Sequence, residues 1–278
     1  VRQDTRVVSG TKEFAAVSGS PAVDESAGLA VTIRGLRHAY GELQTIERLD
    51  LEIPARGVLG LVGPSGCGKS TLLELLVGLQ EPAYGEIAVG TSRAGEERLA
   101  HCAYMPQRDL LLPWLTAIDN ASLALRNRGL SRAESRQRAD ALFERFGLAG
   151  FERSQPAELS GGMRQRVAFL RTLLSGKPVL ALDEPFASLD AITRAEMQGW
   201  LAAALRSDPR TAVLVSHDVE EALYLSDRVV VLAARPARVV AELSPPSPRA
   251  ANRDEAVTDP QFVALRERAM AALHEGAR

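Results

Sequence analysis

Aromatic residues are scarce, with Trp, Tyr and Phe together making up only 5% of the 278 residues. Leucine, valine and alanine must therefore fill most of any core. Cysteine is scarcer still: Cys67 and Cys102 are the only two. Two thiols are too few for a disulfide framework and lack metal-ligand spacing. The four histidines, His38, His101, His217 and His274, include no pair at i, i+4, which excludes a helical zinc motif. No apolar run approaches the roughly 18 residues of a membrane-spanning helix. Residues 1–28 are polar and lack the apolar centre of a signal peptide. The expectation is a chain that stays in the cytosol and does not itself cross a membrane. Nor is there an excess of one charge, because 33 Lys and Arg face 35 Asp and Glu for a net charge of −2. A protein that grips nucleic acid favours a basic excess, so no nucleic-acid partner is expected.

What is present is an ordinary globular composition, 46% hydrophobic and 24% charged, in a chain long enough for a sizeable core. Residues 1–28 mix Ser, Gly, Ala and charges without periodicity and read as a flexible arm. Val31–Arg34 and Leu49–Ile53 read as short strands, and Gly57–Val62 as a buried strand. Ser70–Leu79 reads as a helix. Ser131-x-x-Glu134 fits a capping box. Ala139, Leu142, Phe143 and Phe146 then share a helical face that Gly147 ends. A further helix is expected from about Ser160 to Leu174, with Met163, Val167, Leu170 and Leu174 as its stripe and Gly176 as its stop. Apolar runs return at Pro178–Leu182, Ala212–Val215 and Arg228–Leu232, separated by helical stretches. This alternation predicts an α/β core with a largely parallel sheet. Asp259 and Pro260 open a terminal helix that runs to Gly276. There is no internal repeat.

Gly63-Pro64-Ser65-Gly66-Cys67-Gly68-Lys69-Ser70 matches G-x-x-x-x-G-K-[ST] between a predicted strand and a predicted helix. Glycines let the backbone curl until several amides face phosphate oxygens. The helix that follows adds the positive end of its dipole. Lys69 suits the β- and γ-phosphates, and the Ser70 hydroxyl suits Mg²⁺. Cys67 occupies an open position of the motif, where a packing role is expected. Downstream, the apolar run Val179–Leu182 ends in Asp183-Glu184. Alone, such a pair is commonly a solvated turn. At the carboxyl end of a strand buried on both faces, it stands where α/β sheets place ligands. Asp183 can hold Mg²⁺ through water, and Glu184 can activate the attacking water. A Mg²⁺-dependent nucleotide hydrolase is the leading reading.

Leu159-Ser160-Gly161-Gly162-Met163-Arg164-Gln165-Arg166 lies upstream of the acidic pair. With these residues the sequence closely resembles the ATP-binding cassette of ABC transporters across about residues 30–243. By this resemblance, Tyr40 stacks on adenine and Gln107, in Tyr104-Met105-Pro106-Gln107, is the Q-loop glutamine. Ser188-Leu189-Asp190 corresponds to the D-loop, and His217, in Val215-Ser216-His217-Asp218, to the switch histidine. Gly63 through Ser70 and the adjoining Thr71 hold ATP, while Ser70, Gln107 and Asp183 hold Mg²⁺. Glu184, Gln107 and His217 serve catalysis. Ser160, Gly161 and Gly162 open a helix whose free amides and dipole make a second anion site; in the family, this site meets ATP held by the other subunit. Met163 departs from the family's commonest Gln but leaves the amide-donating positions intact.

The fold implied is a phosphate-loop ABC cassette: an α/β RecA-like core, an antiparallel β subdomain and an inserted α-helical subdomain at about 108–175. The cassette would span 29–243, followed by a tail with one helix over 244–278. One cassette with no spanning segment resembles the separate ATPase subunit of a bacterial-type importer at the cytoplasmic face of the cell membrane. It implies a second cassette copy, two transmembrane permease subunits and, indirectly, an external solute-binding protein. The stretch Gln107–Thr116, with Asp119-Asn120 and Pro185–Arg194, is similar to the nitrate/sulfonate/taurine subgroup, whose relatives carry thiamine-related pyrimidines. Met105–Asp109 leans slightly toward the pyrimidine carriers. The apolar cluster Leu110–Leu115 is expected to receive a permease helix, with Trp114 exposed. The competing reading is a soluble iron–sulfur assembly ATPase, which is the right size but leaves Leu-Leu-Leu-Pro-Trp unexplained.

Overall fold

The computed structural model describes residues 28–277, so the arm expected at 1–28 falls outside it apart from Gly28, which is buried. The described chain opens with β1 (Val31–Tyr40), β2 (Leu43–Ile53) and β3 (Val58–Val62), the last leading into α1 (Lys69–Val77). Next come β4 (Tyr84–Val89), α2 (Gly95–His101) and β5 (Cys102–Met105). Helices α3 (Ala117–Asn127), α4 (Arg132–Phe143) and α5 (Gly161–Leu173) fill the middle. Then β6 (Val179–Asp183), α6 (Ala191–Ser207), β7 (Thr211–Ser216), α7 (Val219–Leu225) and β8 (Arg228–Leu232) alternate. β9 (Val239–Leu243), α8 (Arg253–Thr258) and α9 (Pro260–Gly276) follow.

Two sheets result. β2-β1-β4 is antiparallel. The larger sheet runs β5-β6-β7-β3-β8-β9, parallel except for β9. The phosphate-loop strand β3 therefore lies between the strand ending at Ser216 and the strand ending at Leu232. Side-chain alternation sorts the large sheet into two cores. Leu59, Leu61, Val213 and Val215 face α1 and the antiparallel sheet. Val58, Val62, Ala212 and Leu214 face the helical layer. Every residue of β3, β6 and β7 is buried, as strands covered on both faces require.

β1 and β2 are longer than Val31–Arg34 and Leu49–Ile53. Register shifts between Ile33 and Leu36, Leu36 and His38, and His38 and Ala39 interrupt the period-two pattern, so alternation stops short of the strand ends. The capping box forms as expected, with Ser131 accepting from the Glu134 amide while Glu134 reaches back to the Ser131 amide. α9 runs from Pro260 to Gly276 with Asp259 as its cap, and the shorter α8 precedes it where a single tail helix was expected.

α3 and α4 are joined by one buried carboxylate. Asp119 is 1% exposed and accepts Arg132 and Arg136 through both oxygens, at 2.6–3.3 Å. The adjacent Asn120 is fully buried and shapes the preceding loop. It accepts from the Leu112 amide and donates to the carbonyls of Leu112, Leu115 and Thr116. The loop thereby buries Leu111 and leaves Trp114 72% exposed.

Candidate functional site

The phosphate loop follows β3 into α1 and is built by backbone geometry. Gly66 and Gly68 take φ of 74° and 111°, values that side-chain-bearing residues rarely adopt. Gly68 is also the N-cap of α1 and offers no side chain, so the first-turn amides remain available to an anion. Lys69 is 7% exposed and curls over the loop, donating to the Gly63 and Pro64 carbonyls at 2.8 and 2.9 Å. Cys67 packs beneath it, and burial raises its thiol pKa, so the thiol is inert packing as expected.

The loop forms one wall of a cavity of about 310 Å³, within the range of small-ligand sites. Ser65, Gly66, Gly68, Lys69, Ser70 and Thr71 line it, joined by Tyr40, Gln107 and Glu184. Tyr40 stands at the rim, 45% exposed, with its ring edge-on to His38 and its hydroxyl donating to Gln80 Oε1 at 2.9 Å.

Three residues distant in sequence converge beside the loop. Gln107 Nε2 donates to Glu184 Oε2 at 3.0 Å. His217 Nδ1 lies 3.5 Å from the same oxygen. Glu184 just follows the end of β6 with φ of 49°, an uncommon conformation for a residue with a side chain. Its amide is held by the Val215 carbonyl at 3.0 Å. Such strain persists where the surrounding structure enforces it, and here it turns the carboxylate toward the cavity. The neighbouring Asp183 is 2% exposed; burial raises its pKa, and a hydrogen bond from the Ser70 hydroxyl opposes that rise.

Ser160, Gly161, Gly162 and Asp190 do not line this cavity. Ser160 caps α5 by accepting from the Met163 amide at 3.2 Å. Gly161 lines a separate surface cleft with Gln107, Asp109 and Ser188. Asp190 caps α6, and the Thr193 amide keeps its carboxyl below the usual range.

Sequence reasoning missed several contributors. Leu43, Thr45 and Arg235 also line the cavity. Gln165, 4% exposed on α5, donates to the Glu184 carbonyl at 3.4 Å and so ties that helix to the acidic pair. Glu221, 3% exposed on α7, underlies the histidine turn. It accepts from Gln198 at 2.9 Å and bonds the Ser216 side chain, whose oxygen accepts from the Asp218 amide. The local signal available was its place four residues after His217 on the following helix.

Burial pushes Glu221 up to about 7. The folded protein therefore keeps a proton there that the unfolded chain loses near 4.5. Stability from this group is full below pH 4.5 and is lost as pH rises through about 7. Chemical denaturation should show Glu221→Gln removing a decline of about 2 kcal/mol between roughly pH 5 and pH 7. An unchanged pH slope would show that Glu221 is already ionised in the fold.

A phosphate loop on a central strand, with an acidic pair at the end of the buried strand β6 one place beyond its neighbour β7, defines a nucleotide-hydrolysing α/β protein. Comparison with known proteins narrows the class. Residues 46–187 match the family model described as ABC transporter, and the chain belongs to that family. It is an ATP-binding, ATP-hydrolysing cassette. It is 42% identical over 217 residues to the formylaminopyrimidine import ATP-binding protein ThiZ of Halalkalibacterium halodurans, covering 78% of this chain and 84% of that protein. It is 46% identical over 200 residues to the aliphatic sulfonates import ATP-binding protein SsuB 1 of Rhodococcus jostii, covering 71% and 77%. Among solved structures, the dimeric post-hydrolysis state of the ATP-binding cassette MJ0796 bound to ADP and Pi aligns with a TM-score of 0.71 and 28% identity. That alignment covers 77% of this chain and 98% of the other.

Proposed function

We propose that this chain is the ATPase subunit of an importer for a small solute, acting as two copies that dock on two transmembrane subunits at the cytoplasmic membrane face. The observation that carries the catalytic reading is the meeting of Gln107 and His217 on one oxygen of Glu184 beside the phosphate loop. Glu184 accepts a proton from the attacking water, and Lys69 meets the developing charge on the phosphates. His217 and Gln107 hold the carboxylate in line and respond to the γ-phosphate. Tyr40 supports the adenine.

The donor set also fits Mg²⁺. This ion prefers oxygen ligands, keeps several waters and takes one or two carboxylates together with substrate phosphates. The buried Asp183 carboxylate, bonded by the Ser70 hydroxyl, supplies such oxygens behind the cavity that Ser70 and Gln107 line. Ser70, Asp183 and Gln107 would hold the ion, which when bound neutralises phosphate charge.

The Ser160-Gly161-Gly162 helix start lies outside its own chain's cavity, which supports a head-to-tail pair in which each copy completes the other's site. The relatives named for formylaminopyrimidine and aliphatic sulfonates support a small organic anion or a thiamine-related pyrimidine as cargo. A solute-binding protein outside the membrane would select it.

The docking face we infer is the loop that carries Trp114. Asn120 moulds it from behind, and Arg171 pins its start by donating to the Asp109 and Leu110 carbonyls at 2.7 and 2.8 Å. An exposed Trp on a rigid loop is a suitable anchor for an interface hot spot. In detergent pull-downs with the transmembrane subunit, Trp114→Asp is expected to weaken the complex about tenfold or more, a loss of at least roughly 1.4 kcal/mol. ATP affinity should be unchanged. A full-strength complex moves docking off this loop. Recovery of the chain with soluble iron–sulfur assembly proteins, and not with a membrane subunit, overturns the importer reading.

A further inference from the structure

Arg235 lies in the connection between β8 and β9 and is a cavity residue that no motif covers. Its guanidinium meets the phosphate loop at Gly66. Nε and Nη2 both donate to the Gly66 carbonyl, at 3.1 and 2.8 Å. That carbonyl belongs to a residue in the left-handed region, so the arginine grips the loop at a position that only glycine readily adopts.

The connection that carries Arg235 is itself held from both sides. The Ala237 amide donates to the Thr45 carbonyl at 2.8 Å, and the Glu47 amide donates to the Ala237 carbonyl at 3.1 Å. On the other side the Ala234 amide donates to the Gly276 carbonyl at 2.7 Å, at the end of α9. Ala237 is 1% exposed and lies against Gly68. Arg235 is therefore presented by a braced loop, although its own side chain is exposed.

Its charge is uncompensated locally. Among the described residues, no carboxylate lies within ion-pair distance of the guanidinium, whereas most buried or half-buried arginines here have one or are spent on several carbonyls. Two of its N–H groups are used on Gly66, which leaves the remaining donors for another acceptor. Lys69, the other cation on this cavity wall, directs its ammonium to the Gly63 and Pro64 carbonyls. A polyphosphate entering the cavity meets Arg235 as a second positive charge. Planar guanidinium donors suit phosphate oxygens better than an ammonium does.

We propose that Arg235 is a nucleotide-binding residue, clamping the Gly66 carbonyl to fix the turn of the phosphate loop and lending its charge to the nucleotide's polyphosphate. This rests on the ATP reading of the cavity.

Equilibrium binding to the whole 278-residue chain tests it, using ATP, ADP and adenosine with Arg235→Ala, Arg235→Lys and Lys69→Ala. Arg235→Ala is expected to weaken ATP and ADP about five- to tenfold and adenosine less than twofold, with the melting temperature within about 2 °C of the parent. Arg235→Lys keeps the charge but not the two-pronged grip, so its ATP affinity should fall between those of the parent and the alanine variant. Affinity for ATP should fall less steeply with added salt in Arg235→Ala than in the parent. ATP binding within twofold of the parent in Arg235→Ala overturns the proposal, as does an equal loss for adenosine, which would mark general loosening of the cavity. If Lys69→Ala loses ATP while Arg235→Ala does not, the site reading stands and the role of Arg235 falls. If neither variant loses ATP, the site reading itself falls.

Discussion

Replacing Glu184 with Gln is expected to lower ATP turnover by about 10²–10⁴-fold, the usual contribution of a general base. ATP binding should stay near the parent level. Glutamine preserves the side-chain length and an oxygen that accepts from Gln107, so the 3.0 Å contact and the turn at Glu184 can persist. What is lost is the capacity to take a proton. The phosphate loop and its lysine, proposed above to hold the nucleotide, do not depend on this carboxylate for their own contacts. The variant should therefore accumulate with ATP bound, and chromatography with ATP should reveal a longer-lived pair of chains. Single-turnover phosphate release separates binding from chemistry. Hydrolysis at the parent rate would place the base elsewhere.

The second large effect concerns stability. Replacing Asp119 with Asn should cost about 3 kcal/mol at neutral pH, measured by denaturant unfolding. A broken buried ion pair typically costs about 3–5 kcal/mol. The lower end applies because the side chains of Arg132 and Arg136 are 59% and 40% exposed, so water screens their outer faces. The Arg136 hydrogen bond, aided by Arg132 and Thr116, holds the Asp119 carboxyl far below the usual carboxylate range. A depressed carboxyl stabilises the fold above its unfolded pKa of 3.8, and that stability is lost as pH falls through the folded value. Parent and variant should accordingly converge in acid and separate toward neutrality. A difference below about 0.5 kcal/mol at pH 7 would show that the cluster is only a surface pair.

Local chemistry was the legible part of the sequence. The phosphate loop and the acidic pair are contiguous residues between strongly patterned elements, so spacing alone carried them. Tyr40, Gln107, His217 and the Ser160 helix start gained meaning only together, through resemblance to a family. Contacts that close over long stretches of chain had no local signature. Arg235 reaches Gly66 across 169 residues, and nothing beside it in sequence points to a phosphate loop. Thr45 and Leu43 stayed hidden for another reason, since bulges in the β1–β2 pairing erased the alternation that would have extended the strand to them. Glu221 looks like an ordinary helix-surface acid until tertiary packing buries it.

The central position of β3 has a further consequence. All five of its residues are buried, and it bonds to β7 on one side and β8 on the other. Amides in such a position exchange with deuterium only when the whole molecule opens, whereas those at edges exchange sooner. β9 is an edge of the large sheet, and β2 is an edge of the small one. The loop proposed to cradle phosphate is thus rooted in a central, fully buried strand, while the wall that carries Tyr40, proposed to support the base, belongs to a peripheral hairpin. Heating or denaturant should loosen the grip on the base before the phosphate cradle, so nucleotide selectivity should degrade before the capacity to hold a polyphosphate does.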